Sequence, residues 1–500
     1  MKKRLISLIS AMAVCVGVVG FLPACNKTDY DLVIAYLSGG RGETYVEELA
    51  EAFEQTTWVQ DYLAANEKES LSVNIIKGGG STIEDSVRNA INSDGAPDVL
   101  FLNYNMDKST TESFVRARQL VDLTDLLGEK VYNEEATLES KLVPGLLSNY
   151  NMQPYGDGKT YALPAFYSPT GLWYDASRFF DDNEDGEVDE YTPFGTGENA
   201  GKYELPHTWA EFWKLGDELN KQNGNNSSTG VKSTTPSLFT YPTAGYFDGF
   251  IYSAVAGMAG TEKFMQTLGY ADGIWSDEDV QDALEIVVKL RNYLEPKTVS
   301  QANKTDFQQN QQAVIGDATD ISVKGTALFM PNGDWLPNEM SESTPEGFEW
   351  GFMPLPAKDN STMSYVNTYI ETVYLHTAGQ NLDLAKQFLL FYYSDQGAKI
   401  VAEEASAIIP TQSALANAAE NGIAQSTIDL YNAYDGNGAV VGAFAATGTV
   451  TGVNWNNVLY NDLNTEVFGP NVTGTDAEVL AAWTARIESA SDQLRAAIIS

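Results

Sequence analysis

The chain has 500 residues, room for two to four domains at roughly 100–200 residues each. Apolar residues are 43% and charged residues 20%, which excludes a disordered chain. The formal charge is −38, from 68 acids against 30 bases, so no basic stripe is available to a nucleic-acid backbone. Cys15 and Cys25 both lie in the first 25 residues, which leaves the body no disulfide, Cys-ligated zinc or thiol nucleophile. His207 and His376 are too few for a multi-His metal site. The 26 Tyr and 9 Trp are a generous aromatic content.

Lys2, Lys3 and Arg4 precede an uncharged apolar stretch, the pattern of a secretory signal over residues 1–24. It ends in Leu22-Pro-Ala-Cys25, similar to a bacterial lipobox, in which Cys25 becomes the lipidated first residue. Residues 25–30 then form a polar tether. The expected location is the outer face of the cytoplasmic membrane, held there by lipid.

Leu32–Leu37 reads as a buried strand and Glu43–Gln55 as an amphipathic helix. Leu71–Ile76 is a second strand, a helix starts at Ser81, and Asp98–Leu102 is a third strand. This alternation predicts crossover units and a mainly parallel sheet, with ligands beyond the strands' carboxyl ends. Asp157-Gly158 signals a hairpin turn. Gly158-Lys159-Thr160 is no phosphate loop, because Gln153 stands where that motif needs glycine. Extended runs follow at 325–331, 352–356 and 370–375, and helices at 384–393 and 477–499, the last capped at Thr475 or Asp476. Loops 193–202 and 223–237 read as insertions.

Several segments carry a resemblance when taken in order. They are Gly95-Ala-Pro-Asp-Val99, Asp157-Gly-Lys-Thr-Tyr-Ala-Leu-Pro164, Leu172-Trp-Tyr-Asp175 and Pro206-His-Thr-Trp-Ala-Glu-Phe212. Gly325-Thr-Ala-Leu-Phe-Met-Pro-Asn-Gly-Asp-Trp335, Gly351–Pro356 and Ile409-Pro410 continue the series. The chain resembles the extracellular solute-binding proteins of bacterial ABC importers, in the carbohydrate-binding group that includes maltose-binding protein. The resemblance implies an α/β, two-lobe periplasmic-binding-protein-like fold with a hinge and an interlobe cleft. Lobe 1 is expected over 31–163 plus 340–393, and lobe 2 over 164–339 plus 394–500. The implied function is capture of a carbohydrate, an oligosaccharide more than a monosaccharide, and its delivery to an ABC permease by a monomer. No catalysis is expected. The alternative is a secreted glycoside hydrolase or lyase using paired carboxylates.

A sugar offers apolar C–H faces and a polar rim, answered by aromatic rings and planar polar groups. The resemblance places Trp335, with Asn332 and Asp334, in the cleft, and Trp455 as a late cleft aromatic. Arg41 and Glu43 follow the first strand, and Asn103, Tyr104 and Asn105 follow the third. Tyr167 flanks the first crossing, and Tyr246, Phe247 and Asp248 lie in a loop of the second lobe. Trp173, Trp209 and Trp213 read as core.

Asp181–Thr192 resembles an EF-hand loop, with Asp181, Asn183, Asp185, Glu187 and Asp189 at ligand positions and Gly186 at the turn. The bidentate glutamate of position twelve is replaced by Thr192. Seven carboxylates between Asp181 and Glu190 repel one another without a cation, so a structural Ca²⁺ is expected.

Overall fold

The fold is that of a computed structural model. It describes residues 30–37, 41–42, 44–78, 81–92, 96–102, 110–147, 152–155, 157–181, 190–228, 234–302, 307–320, 324–441, 459 and 462–499. Among the described residues eleven strands lie in this order: β1 (Leu32–Leu37), β2 (Val73–Gly78), β3 (Val99–Phe101), β4 (Leu163–Asp175), β5 (Phe179–Phe180), β6 (Tyr203–Glu204), β7 (Ser237–Phe239), β8 (Ala327–Gly333), β9 (Trp350–Met353), β10 (Tyr365–Leu375) and β11 (Gly438–Val441). The main sheet runs β2-β1-β3-β10-β4-β8-β7, with β11 on β10 and β9 on β4. The strand β1 and the helices Tyr45–Glu54 and Asp476–Ile499 fall where apolar spacing put them. The last helix is capped by Thr475, whose backbone N–H donates to Glu478 Oε2 at 2.8 Å while Glu478 N–H donates to Thr475 Oγ1 at 3.3 Å.

The sheet departs from the parallel expectation at its centre. β1 pairs parallel with β2 and β3, and β7 with β8. The long strands β4 and β10 are antiparallel to each other, β10 is antiparallel to β3, and β4 is antiparallel to β8 and β9. They run between two separate cores in opposite directions, which a local βαβ pattern does not register. The Asp157-Gly158 turn forms, with Gly158 at φ +77° and Lys159 N–H donating to Asp157 Oδ1. It leads into β4, and among the described residues no strand stands directly before it as a hairpin partner.

The first core holds Ile34, Val99, Phe166, Val373 and Phe388. The second holds Tyr174, Phe250, Val287, Phe329 and Trp483. β4 passes from one to the other: Phe166 and Tyr167 belong to the first core, Leu172 and Tyr174 to the second. Val401, Ile409, Leu430 and Tyr431 pack in the first core, and Val440 in the second. The segment 395–431 therefore packs with the first core, not with the second where the sequence reading set it. Its first helix, Asp395–Ala405, packs on Leu382–Tyr392 just before it and on Tyr45–Glu54 near the start of the chain, and the second of these is a long-range contact that no local signal marks.

Candidate functional site

A cavity of about 380 Å³ opens where the two cores meet, within the ~300–1,000 Å³ usual for small-molecule sites. Its floor is made by the crossing strands. Thr170 and Gly171 of β4 and Asn332 of β8 lie there, and β4 and β8 pair at these residues. β10 contributes Asn367, Tyr369 and Glu371, three positions two residues apart that share one face of a strand. Pairing of β10 with β4 carries an irregularity between Glu371 and Thr372, beside Pro164, which has no N–H to donate.

The second lobe brings the start of the long helix Phe247–Leu268, with Asp248, Gly249, Phe250 and Ser253 facing the cavity. Gly249 lets the helix approach β10 closely: a Cβ there would lie 2.6 Å from Asn367 Nδ2 and would push that side chain aside. The aromatic wall is Trp335, Tyr246 and Tyr369. Trp335 and Tyr246 rings are 6.1 Å apart, and Trp335 and Tyr369 rings 5.9 Å at 66°. Trp335 Nε1–H donates to the Tyr246 hydroxyl at 3.2 Å, which leaves the indole face for a ligand.

Arg41 follows β1 and is almost wholly buried. Its Nη1 is 2.9 Å from Asp334 Oδ2, its Nη2 bonds Ser168 Oγ, and its Nη2 lies 3.6 Å from Glu371 Oε1. The guanidinium sits 4.5 Å over the Phe166 ring. Burial works against the Arg41 cation, but Asp334 and Glu371 outweigh it and hold its pKa above the ordinary value. Asp334 also accepts from the Tyr431 hydroxyl at 2.6 Å.

The carboxyls are held less firmly. Burial pushes Asp248 up to about 7, so near neutral pH it is a donor and an acceptor in comparable measure. Burial also raises Glu371, opposed by Arg41 and reinforced by Asp334. Glu339 is raised by burial against a 2.9 Å hydrogen bond from Gln311 Nε2.

Of the residues singled out in sequence, Arg41, Tyr246, Asp248, Asn332 and Trp335 line the cavity together. Asp334 stands behind Arg41 with a side chain 0% exposed. Tyr167 and Phe247 were expected at the ligand and are instead core residues. Tyr167 packs its ring 4.9 Å from Tyr431, and Phe247 packs against Tyr241, Phe250 and Phe468. β4 buries nearly every side chain as it crosses between the cores, and the helix start seated on the second core is buried likewise, so a place on these elements does not by itself put a residue at the ligand. Glu43, Asn103, Tyr104, Asn105, Trp455 and Cys25 lie outside the described residues. Trp173 and Trp209 are buried, as read. Sequence reasoning missed Asn367, Tyr369 and Glu371, although their alternation with Thr368 and Ile370 marks a strand face with polar groups on it.

In the acidic loop, Asn183, Asp185, Glu187 and Asp189 lie outside the described residues. Asp181 sits at its edge, with Oδ1 3.0 Å from His207 Nε2. No group of three or more metal-ligating side chains occurs among the described residues, and no described helix is long and apolar enough to cross a membrane.

Two packed α/β lobes with a cleft between them define a class of ligand-capturing protein. Solved structures share this fold at low sequence identity. Apo RafE from Streptococcus pneumoniae matches with a TM-score of 0.58 at 14% identity, over 93% of this chain and 100% of that one. The GacH receptor of Streptomyces glaucescens, solved unliganded and with acarbose, matches with a TM-score of 0.58 at 16% identity, over 94% and 98%. No curated protein sequence matches. The family model described as bacterial extracellular solute-binding protein matches residues 44–399, and the chain belongs to that family.

Proposed function

We propose that this solute-binding protein captures a carbohydrate, an oligosaccharide in preference to a single sugar, in the cleft between its lobes. One observation carries the reading: Trp335, Tyr246 and Tyr369 face the same cavity as Asp248, Asn332, Asn367 and Glu371. Rings cover C–H faces while planar polar groups take the hydroxyl rim. The complex of GacH with acarbose is in keeping with it. Contacts from both lobes favour a closed form, so binding shifts the population toward closure.

Delivery to an ABC permease and tethering through a lipid on Cys25 belong to the same proposal, supported by the family and by the lipobox-like Leu22–Cys25. A structural calcium in Asp181–Thr192 is supported by the ligand spacing in sequence. The test is a thermal-shift and calorimetric screen against oligosaccharides, with product analysis of the same mixtures. A ligand that binds only the folded form raises the melting temperature. Turnover of a glycoside above buffer would overturn the binding reading in favour of a hydrolase. Release of a Cys25→Ala variant from cells would support the lipid tether, and its retention would refute it.

A further inference from the structure

The charges facing the cleft do not balance. Arg41 is the cation among the described residues that line it, and its charge is matched from behind by Asp334, 2.9 Å away and sealed from solvent. Three more carboxyls line the same cavity: Asp248, Glu339 and Glu371. Glu339 receives the Gln311 amide. Among the described residues, Glu371 is paired with the outer side of the Arg41 guanidinium, at 3.6 Å, shared with Asp334. Asp248 is 5% exposed, and no described residue donates a hydrogen bond to its carboxylate.

A buried carboxylate without a partner is costly when charged. A neutral sugar leaves that cost in place or requires Asp248 to hold a proton. An acidic sugar adds repulsion. An ammonium group removes the cost, supplies donors to the unpaired oxygens, and is welcome beside the faces of Trp335 and Tyr246.

We propose that the cleft selects an amino sugar, a saccharide with a free protonated amine, and that Asp248 receives the ammonium while Glu371 and Glu339 supply the surrounding negative potential. The inference rests on the carbohydrate reading above. It names the sub-class of sugar and the residue that chooses it.

The experiment is calorimetry on the purified protein near pH 6.5 with glycans matched in linkage and length. Glucosamine and galactosamine oligomers are compared with glucose and galactose oligomers. An amine-bearing glycan should bind at least tenfold more tightly than its neutral counterpart, and added salt should erode the difference. Asp248→Asn, close in shape, should abolish the preference and leave far-UV circular dichroism unchanged. Glu371→Gln should weaken it less, and serves as the second variant if the first folds poorly. Binding by neutral members alone, or equal binding by both, overturns this inference and leaves the carbohydrate reading standing. Binding by no glycan in either set overturns both.

Discussion

The indole N–H of Trp335 is tied to the Tyr246 hydroxyl at 3.2 Å, joining the end of β8 to the turn that opens the long helix of the second lobe. The bond uses the polar edge of the indole and presents its apolar face to the cavity. It also means that Trp335 is held before any ligand arrives, which reduces the side-chain entropy lost on binding.

Truncation of Trp335 to Ala should therefore cost about 2 kcal/mol or more of ligand binding, roughly thirtyfold in affinity. Trp335→Phe should cost less. Tyr246→Phe should cost less still, because it removes the anchor and keeps both rings. Titration calorimetry with a ligand from the screen checks the order, and undiminished affinity in Trp335→Ala would remove the ring from the site.

Gly333 lies directly against that ring. A Cβ at Gly333 would collide with Cζ3 and Cη2 of Trp335. Gly333→Ala should push the indole from its place and weaken binding tenfold or so, with the melting temperature of the empty protein moved by only a few degrees. Tryptophan fluorescence of the empty variant gives an independent readout of the displaced ring.

Arg41 and Asp334 form a buried pair, and losing one partner strands the other. Arg41→Met should destabilise the fold by about 3–5 kcal/mol, whereas Arg41→Met with Asp334→Asn should recover much of the loss. Denaturant unfolding of the two variants decides this. Equal destabilisation by both would show that packing over Phe166, and not charge, is what Arg41 provides.

Asp248 makes stability depend on pH. Its folded pKa of about 7 is raised above the ordinary carboxyl value, so from about pH 4 to 7 the folded state holds more protons than the unfolded one. Stability from this group is full below about pH 4 and is lost as pH rises through 7, a swing on the order of 4 kcal/mol. Asp248→Asn should melt well above the parent protein at pH 8 and close to it at pH 5. A difference that does not change with pH would refute the assignment.

If Asp181–Thr192 holds calcium, chelation by EDTA should lower the melting temperature and excess Ca²⁺ should restore it. Asp185→Ala should abolish that response and leave affinity for sugar largely intact. A melting curve of the parent protein indifferent to both additions would count against the ion.

Local pattern was enough for the elements whose causes are local. Apolar runs between turn residues marked β1 and the opening βα units, and Thr475 or Asp476 marked the start of the last helix, which Thr475 caps. Arg41 was a candidate as a polar residue directly after the first strand, Trp335 was placed in the cleft by the family resemblance, and Asp248 was picked out only as part of a loop of the second lobe that the structure shows to be the start of a helix. Tertiary structure decided the remainder. It turned β4 and β10 antiparallel, sent 395–431 into the first core, buried Tyr167 and Phe247, and set Glu371 beside Arg41. These outcomes depend on contacts between residues up to hundreds of positions apart. Burial, which side of a strand faces a cleft, and the balance of charge around a cavity are properties of such contacts, and alternation along one segment cannot encode them.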